Sequence, residues 1–401
     1  MAAGMTNPYF VDGHVHIGRA GNGQAIKISA GRNLTVSGIL QEAMVRKGLD
    51  IIGIIDAVSP PVQVDIALLM QAGDLVPLAG GGLRYQDSVT LLLGAEVEIG
   101  GPFGGAAHFG VFVPTFDALR ELSAWLVSRQ TNPVLSSQRL TKGNAKELAQ
   151  LCNELNGIFV VNHAFTPHKG LYGNCVRVMS DMVPPDLVTA VELGLSADTN
   201  MADRISELAD FTYVTNSDAH SLTKLAREYH VAQLESPTFA AYKDALLRKG
   251  DNRIRTNVGL LPSLGKYHRT ACRHCGERLQ DAAAPCPVCG SMARVNGVWE
   301  RLLDVADLDE PVSPSHRPPY IHQVPLEFIP GLGPKKRAQL FAAFGTEMNI
   351  LHRTALADLR HVVGETLANY IDQARTGMLS VSPGAGGRYG KITSSLRDEQ
   401  R

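Results

Sequence analysis

The sequence predicts an α/β fold in which a seven-stranded β/α barrel precedes two small modules. Short apolar runs alternate with amphipathic segments from Tyr9 to about Gly259. Strands that alternate with helices are typical of parallel strands joined by crossover helices, and about seven repeats favour a barrel, with an open doubly wound sheet as the alternative. Metal-capable side chains follow several of the runs, and four clustered cysteines lie beyond the last one.

The individual elements are predicted from residue periodicity and from end signals. Asn144 is a predicted helix cap, and Gly157 stops the same helix. The apolar runs predicted as further strands occupy residues 50–55, 89–93, 109–113, 158–161, 188–191 and 211–214. The segments predicted as helices occupy residues 37–46, 116–127, 144–156, 201–208 and 239–248.

Composition sets the broad class of the protein. The chain has 401 residues and a formal net charge of −1, so the whole molecule gives no reason to expect binding to a polyanion. It contains no run of about 18 apolar residues and no signal-peptide pattern, which predicts a soluble, cytoplasmic protein. Four of the six cysteines lie within residues 272–289, and such clustering indicates a metal site in a reducing compartment.

The ends of the predicted strands carry the residues of chemical interest. His14 and His16 follow the first apolar run, and side chains at i and i+2 of an extended chain share one face. Parallel barrels collect their strand ends on the face that holds the active site. His108 differs because it precedes its apolar run. The other metal-capable residues that follow a run are Asp12, Asp56, Glu96, His163, Glu192, Asp218 and His220.

The order of these motifs resembles the polymerase and histidinol phosphatase (PHP) superfamily. The resemblance covers residues 9–235 and rests on the His14-Val-His16 pair, Gly94-Ala-Glu96, His108, Asn162-His163 and Ser217-Asp218-Ala-His220. It implies a PHP-type distorted barrel that holds two or three metal ions and hydrolyses phosphoesters. The metal ligands it implies are His14, His16, Glu96, His108, His163, Asp218 and His220.

Two departures from that pattern favour a two-metal site. Members of the superfamily often have a histidine where this chain has Ala57, and a further ligand beyond the histidine pair where this chain has only Arg19. Seven ligands are too many for one tetrahedral ion but suit two divalent ions (Zn, Mn or Mg) that share Glu96 as a bridge. Glu96 and Asp218 are the expected catalytic residues, and phosphoester hydrolysis is the expected reaction.

Two CxxCG motifs predict a structural zinc site. Cys272 and Cys275 form the first motif, and Cys286 and Cys289 form the second. Each motif predicts a tight turn in which backbone amides donate to thiolates, and two such turns complete a tetrahedral site, with a redox dithiol pair as the alternative. Such a ribbon has a purely structural role at least as often as it binds nucleic acid. The residues that favour nucleic acid are Arg269, Arg273, His274, Arg278 and Arg294.

A glycine-containing turn before a basic helix resembles the helix-hairpin-helix DNA-binding element. Gly331 and Gly333 permit a sharp turn that exposes backbone amides at a helix start, where a phosphate is attracted. Lys335, Lys336 and Arg337 add positive charge, and none of these contacts reads base sequence. The alternative is an ordinary helical hairpin with a basic first turn. Residues 358–374 resemble a degenerate second copy.

These motifs divide the chain into five segments. The metal-dependent barrel spans residues 1–260, and the four-cysteine domain spans residues 261–303. An acidic, proline-rich linker is predicted at residues 304–320, and the helix-hairpin-helix domain at residues 321–380. The polar tail at residues 381–401 lacks a core-forming pattern and is predicted to be disordered.

The order of these segments resembles the endonuclease Q family over nearly the whole chain. The similarity includes the segments at residues 163–167, 192–196, 215–220 and 317–327. It implies cleavage of damaged double- or single-stranded DNA on the 5′ side of a deaminated base (uracil, hypoxanthine or xanthine) or an abasic site. Such an enzyme would be associated with the nucleoid when it is bound to DNA and would not contact a membrane. Contact with replication or repair proteins is a further possibility. Phe165, Lys169 and Tyr172 are candidates for the base pocket by position only.

Two other functions remain open from the sequence. A small-molecule phosphatase of the histidinol-phosphatase type explains the metal ligands but leaves the ribbon and hairpins without a role. A catalytically inactive DNA-binding protein is consistent with Ala57 and the missing ligand after His16.

Overall fold

A curled, twelve-stranded mixed sheet forms the main body of the protein. The computed structural model describes residues 5–281, 283–379, 381–382, 384 and 388–392. The strands are β1 (Asn7–Val15), β2 (Ile51–Ile54), β3 (Leu75–Pro77), β4 (Leu83–Tyr85), β5 (Val89–Gly100), β6 (Ala106–Val113), β7 (Ile158–Val161), β8 (Ala190–Glu192), β9 (Thr212–Val214), β10 (Tyr229–Leu234), β11 (Arg253–Gly259), β12 (Ala271–Cys272), β13 (Arg294–Val295), β14 (Tyr320–His322), β15 (Val381–Ser382) and β16 (Lys391–Ile392).

Helices cover the sheet and form the C-terminal module. Asn144 caps its helix by accepting a hydrogen bond from the Glu147 amide at 3.0 Å, as the sequence predicted. The helices are α1 (Val36–Glu42), α2 (Pro60–Gln71), α3 (Phe116–Val127), α4 (Ala145–Glu154), α5 (Thr199–Ala202), α6 (Phe239–Leu246), α7 (Val298–Val305), α8 (Pro334–Phe344), α9 (Glu347–His352), α10 (Leu356–Val363) and α11 (Glu365–Thr376). Among the described residues, no helix has the length and apolar content that crossing a bilayer requires.

The α/β class is confirmed, whereas the predicted count of seven strands is wrong. Ten strands follow one another in the order β14-β11-β10-β1-β2-β5-β6-β7-β8-β9, and β3 and β4 pair at the side of β5. Strands β1, β2 and β5 are parallel, as are β7, β8 and β9, but β6 is antiparallel to both of its neighbours. The connection between β5 and β6 is a hairpin with Gly104 and Gly105 at positive φ, where a uniform barrel would have a crossover helix.

The sheet curls until its distant strands meet. The His16 amide donates to the Ala219 carbonyl at 3.2 Å, which joins the end of β1 to the segment after β9. The Asn257 side chain on β11 donates to the Tyr213 carbonyl on β9 at 3.0 Å. These two contacts bring the ends of the curled sheet together into a barrel-like shape. As a result, the carboxyl ends of β1, β5, β7 and β9 surround one small region.

The C-terminal segments are fixed to this barrel. The segment predicted as a linker lies against it, because Arg317 pairs with buried Asp203 at 3.0 Å and stacks over the Tyr213 ring. The chain then adds β14 to the edge of the main sheet beside β11. Of the predicted tail, residues 383, 385–387 and 393–401 lie outside the described residues, while β15 and β16 pair with each other.

Candidate metal centre and DNA-binding elements

Five strands bring the seven predicted metal ligands together. His14 and His16 come from β1 and the residue after it, Glu96 from β5 and His108 from β6. His163 follows β7, and Asp218 and His220 follow β9. The side chains fall into three overlapping groups whose ligand atoms lie within 4.8 Å of one another, and these groups are His14-His16-Glu96, His16-Asp218-His220 and Glu96-His108-His163.

Glu96 lies at the centre of the cluster and contacts four histidines. Its Oε1 atom lies 3.4 Å from His14 Nε2, 3.1 Å from His108 Nδ1 and 3.3 Å from His163 Nε2. Its Oε2 atom lies 3.7 Å from His16 Nε2. One carboxylate that faces two sets of imidazoles is the geometry expected of a bridge between two ions.

Asp218 occupies the outer side of the cluster. Its Oδ1 atom lies 3.4 Å from His16 Nε2 and 3.6 Å from His220 Nδ1. The Asp218 backbone has a φ of +45°, and His163 has a φ of +30°, a region that non-glycine residues rarely adopt. Such strain at two candidate ligands is typical of functional sites, where the surrounding structure holds a side chain in an unfavourable backbone position.

The environment of His14 fits a bound cation. Its Nδ1 atom lies 3.0 Å from Glu192, so this nitrogen carries the proton of the hydrogen bond. The Nε2 atom is buried without a hydrogen-bond partner and faces the carboxylates of Glu96 and Asp218. This nitrogen and the carboxylate oxygens converge on one point that a divalent cation would occupy, so these residues fit a metal.

A second layer of carboxylates holds the ligand rings in place. Asp56 Oδ2 accepts from the Ile17 amide at 2.7 Å and lies 3.1 Å from His16 Nδ1. Glu192 accepts from the Asn216 side chain at 2.8 Å while it contacts His14. Asp12 instead accepts the amides of Ser217 and Ala226, and therefore shapes the loop that carries Asp218. These three residues support ligands and do not themselves join the cluster.

The charges of the cluster are strongly coupled. Burial disfavours a charged imidazole, yet the Glu192 carboxylate overcomes this and raises the pKa of His14 well above its usual value. Burial also opposes the charge on Glu96, but the His108 ring holds the pKa of that carboxyl well below its usual value. Protons therefore occupy the places of cations, and a metal must displace them on binding.

The sequence reasoning missed several residues around Glu96. Ser137 Oγ donates to Glu96 Oε2 at 2.5 Å, and Asn162 Nδ2 donates to Glu96 Oε1 at 3.0 Å. Ser136 Oγ lies 3.1 Å from His16 Nδ1, and Lys27 Nζ lies 3.9 Å from Glu96 Oε2. Asn162 lies beside a predicted ligand, but the other three come from loops without any recognisable pattern.

The four cysteines of the predicted zinc site also converge. Cys272 and Cys289 have their sulfur atoms 3.5 Å apart, as do Cys275 and Cys286, and all four ligand atoms lie within 4.8 Å. All four are free thiols. The glycine after each pair has a positive φ, which permits the tight turn that directs amides at the sulfurs. The donor set and its compactness fit one tetrahedral zinc ion.

The helical module contains the predicted turn. Gly331 has a φ of +78°, and Gly333 caps helix α8, where no side chain of a described residue bonds to the first amides. Gly331, Gly333 and Lys335 are exposed, so the helix start faces solvent. Gly364, with a φ of +86°, separates α10 from α11 in a second hairpin.

Comparisons with known proteins identify the family of the chain. No protein-family model matches it. It is 43% identical over 385 residues to the uncharacterized protein YqxK of Bacillus subtilis, which covers 96% of this chain and 98% of that one. The crystal structure of the lesion-specific endonuclease Q of Pyrococcus furiosus superposes with a TM-score of 0.83 at 29% identity, covering 98% of this chain and 97% of that one. The chain belongs to the endonuclease Q family.

A second solved endonuclease Q places DNA beside this fold. That structure is a complex with a 27-mer duplex substrate that carries an abasic lesion at the active site. It matches with a TM-score of 0.83 and 29% identity, over 98% of this chain and 100% of that one. The match therefore extends over the barrel, the four-cysteine cluster and the helical module of this chain.

In this endonuclease Q family member, a cavity of about 220 Å³ opens beside Asp218. The Lys266 ammonium lies 4.7 Å from the centre of the Tyr389 ring, and the rings of His168 and Tyr267 meet edge to face. The cavity is lined by His163, Thr166, His168, Leu195, Ser196, Asp218, Lys266, Tyr267 and Tyr389. Lys266 and Tyr267 lie just before the four-cysteine ribbon, so the segment that leads into the ribbon borders the cavity.

The three residues suggested from the sequence for a base pocket do not line this cavity. Phe165 and Tyr172 are buried and stack on each other at 5.6 Å. Lys169 pairs with Glu98 at 2.9 Å. The side chains of these three residues thus pack against each other or pair with β5.

Proposed function

We propose that this protein is a metal-dependent DNA repair endonuclease that hydrolyses the phosphodiester bond 5′ of a damaged nucleotide. The damage would be a deaminated base, namely uracil, hypoxanthine or xanthine, or an abasic site. The observation that carries the proposal is the seven-residue cluster, which opens beside Asp218 into a cavity large enough to receive part of a nucleotide. Membership of the endonuclease Q family supports the lesion-specific activity.

Two groups of side chains would hold the metal ions. His14, His16, Glu96 and Asp218 form one group, and Glu96, His108 and His163 form the other. Bound divalent ions polarise a phosphate oxygen and lower the pKa of a coordinated water. His220 extends the first group, because its ligand atom lies within 4.8 Å of those of His16 and Asp218.

Glu96 and Asp218 would act as the catalytic carboxylates. Glu96 is buried and locked by Ser137 and Asn162, which suits a bridging residue that must not move. The Asp218 side chain is 29% exposed and lines the cavity, so it is the carboxylate that a phosphodiester in the cavity would reach first.

The cavity would receive the damaged nucleotide after it leaves the base stack. Tyr267 and Tyr389 offer aromatic surfaces, while Ser196, His168 and Lys266 offer polar groups for a base edge or a sugar. Turning a nucleotide out of the duplex costs a few kcal/mol, and the cost is smallest for a mispaired or missing base. The preference for damage would therefore arise partly from the DNA itself.

The helical module and the zinc ribbon would hold undamaged DNA on either side of the lesion. The free amides at the start of α8 attract phosphate, and Lys335, Lys336 and Arg337 add charge without reading sequence. Arg273 and Arg278 are exposed on the ribbon near the cavity and would add further phosphate contacts.

The experiment compares three kinds of substrate with the same enzyme, namely damaged DNA, undamaged DNA and a small phosphomonoester. Labelled duplexes with one uracil or one hypoxanthine, a matched undamaged duplex and p-nitrophenyl phosphate are incubated with Mg, Mn or Zn in turn. We expect cutting of the damaged duplexes only. The Asp218→Ala variant is expected to abolish cutting and to retain DNA binding, whereas Asp186→Ala, an exposed carboxylate before β8, serves as a matched control with unchanged activity.

Two outcomes would contradict the proposal. Turnover of the phosphomonoester without cutting of DNA would indicate a small-molecule phosphatase. Retention of lesion duplexes without cutting under any of the three metals would indicate a DNA-binding protein with an inactive barrel.

A further inference from the structure

A lysine side chain reaches the candidate metal centre from the loop after β1. The Lys27 amide donates to the Ile17 carbonyl at 2.9 Å, and this anchors its backbone next to the His16 position. Its Nζ atom donates to Ser137 Oγ at 2.7 Å and lies 3.9 Å from Glu96 Oε2. The side chain is 18% exposed, so the ammonium is largely enclosed but still reachable.

A hydrogen-bond chain with fixed directions holds this ammonium. An ammonium can only donate and a carboxylate can only accept, so Ser137 accepts from Lys27 and donates to Glu96. Ser137 has a φ of +53°, and Ser136 Oγ bonds to Ser137 Oγ at 3.0 Å. Ser137 therefore has a strained backbone and hydrogen bonds to both Lys27 and Glu96. This arrangement indicates that the fold holds the Lys27 ammonium at the cluster.

The ammonium has unused donor capacity. Ser137 Oγ is the single hydrogen-bond acceptor of Lys27 Nζ among the described residues, which leaves two N–H groups. A protonated lysine cannot ligate a metal, and a positive charge beside residues that hold divalent ions is unfavourable by itself. A bound anion would remove this cost and use the free donors.

We propose that Lys27 is a further catalytic residue, which donates a hydrogen bond to a non-bridging oxygen of the scissile phosphate. This rests on the proposed function, because the anion is taken to be the phosphodiester. Charge accumulates on the phosphoryl oxygens during displacement, so the hydrogen bond strengthens as the transition state forms. At the positions of Arg19 and Ala57, this chain lacks metal ligands that related proteins often have. The positive charge of Lys27 would supply part of the charge that an additional metal ion supplies in those proteins.

The experiment measures single-turnover cleavage of a lesion duplex by Lys27→Met and Lys27→Arg. We expect Lys27→Met to slow cleavage about 10²- to 10³-fold and Lys27→Arg to stay within about tenfold of the native rate. Metal content and the Kd for the lesion duplex are expected to change less than about threefold in both. Lys146→Met, at an exposed lysine on α4, is the matched control with a native rate.

A sulfur substitution tests the contact itself. In the native enzyme, replacing one non-bridging oxygen of the scissile phosphate with sulfur is expected to slow cleavage. In Lys27→Met, the same replacement for one diastereomer is expected to have a smaller effect, because the contact is already lost. Native cleavage by Lys27→Met, or a loss of rate that matches a loss of bound metal, would overturn the proposal.

Two further measurements cover the cases in which the variant does not fold or the native enzyme does not cut DNA. If Lys27→Met does not fold, Lys27→Ala takes its place in both measurements, and a native rate with an unchanged sulfur effect would count against the contact. If the native enzyme fails to cut lesion duplexes, the proposed function fails, and Lys27 is tested on bis(p-nitrophenyl) phosphate with the same expected loss.

Discussion

His14 is held between carboxylates at both ring nitrogens. Glu192 fixes Nδ1 at 3.0 Å, and Nε2 is left to face Glu96 and Asp218. The outer carboxylate sets the tautomer and orientation of the ring and raises its basicity as a ligand. The function of Glu192 is therefore exerted through His14, which makes it a positioning residue.

We expect Glu192→Gln to weaken metal binding about 10- to 100-fold. The glutamine keeps the size of the side chain but loses the negative charge behind His14. Metal titration into the metal-free variant measures the affinity, and excess metal is expected to restore most of the cleavage rate. Glu154→Gln, on the exposed end of α4, is the matched control. Unchanged metal affinity in Glu192→Gln would show that this carboxylate does not position the ligand.

At the residue scale, patterned ligands were predictable and loop residues were not. His14, Glu96 and Asp218 could be placed because each follows an apolar run that ends at one face of the sheet. Lys27 and Ser137 reach Glu96 from separate loops, and their contact depends on how two irregular segments pack. A contact of this kind between two loops leaves no periodic pattern in the sequence from which it could be predicted.

The hairpin of β5 and β6 explains the unusual position of His108. In the sequence, this histidine precedes its apolar run, whereas the other ligands follow theirs. Because β6 is antiparallel to β5, the beginning of β6 lies beside the end of β5, with His108 opposite Glu98. His108 thus reaches the same face as Glu96. The sequence predicted the ligand, but a parallel barrel could not explain its place.

At the scale of elements, the start of α8 allows a test of DNA binding. We expect Lys335→Ala and Lys336→Ala each to weaken binding of damaged and undamaged duplexes equally. Each is expected to reduce the dependence of log K on log salt by about one unit. The single-turnover rate at saturating DNA should remain native. Fluorescence anisotropy at several salt concentrations measures the effect.

The exposed Lys146 on α4 again provides the control. Lys146→Ala should leave the salt dependence unchanged. A variant at Lys335 that loses affinity only for damaged DNA would contradict a sequence-independent phosphate contact at this helix.

At the scale of the whole molecule, one buried ion pair joins the helical module to the barrel. Lys47 follows α1 and lies 2.6 Å from Glu347 at the start of α9, and both side chains are buried. Lys47 also donates to the Thr223 carbonyl, just beyond His220. The pair therefore links the DNA-binding module to the loop that carries two candidate metal ligands.

We expect Lys47→Met to lower the free energy of unfolding by about 3–5 kcal/mol, because Glu347 would remain buried without a partner. The double variant Lys47→Met/Glu347→Met should recover most of this loss, since no charge is left unpaired. Denaturant unfolding of the single and double variants measures both values. A double variant as unstable as Lys47→Met would show that packing, and not the unpaired charge, is responsible.

The organisation of the whole chain was only partly predictable. The sequence marked a metal-binding barrel, a cysteine ribbon and a basic helical turn, and the order of these parts indicated the endonuclease Q family. It also predicted a linker at residues 304–320, because the segment is acidic and rich in proline. Arg317 fixes that segment to Asp203, and a single buried arginine among prolines carries no signal of a docking contact.

Mapping the incision site tests the central claim most directly. A duplex with one hypoxanthine and a 5′ label on the damaged strand is cut by metal-loaded enzyme, and the product is sized at single-nucleotide resolution. We expect one product that ends at the nucleotide before the lesion, and no product with metal-free enzyme or with Asp218→Ala. Cuts at other positions, or equal cutting of the undamaged duplex, would contradict the account.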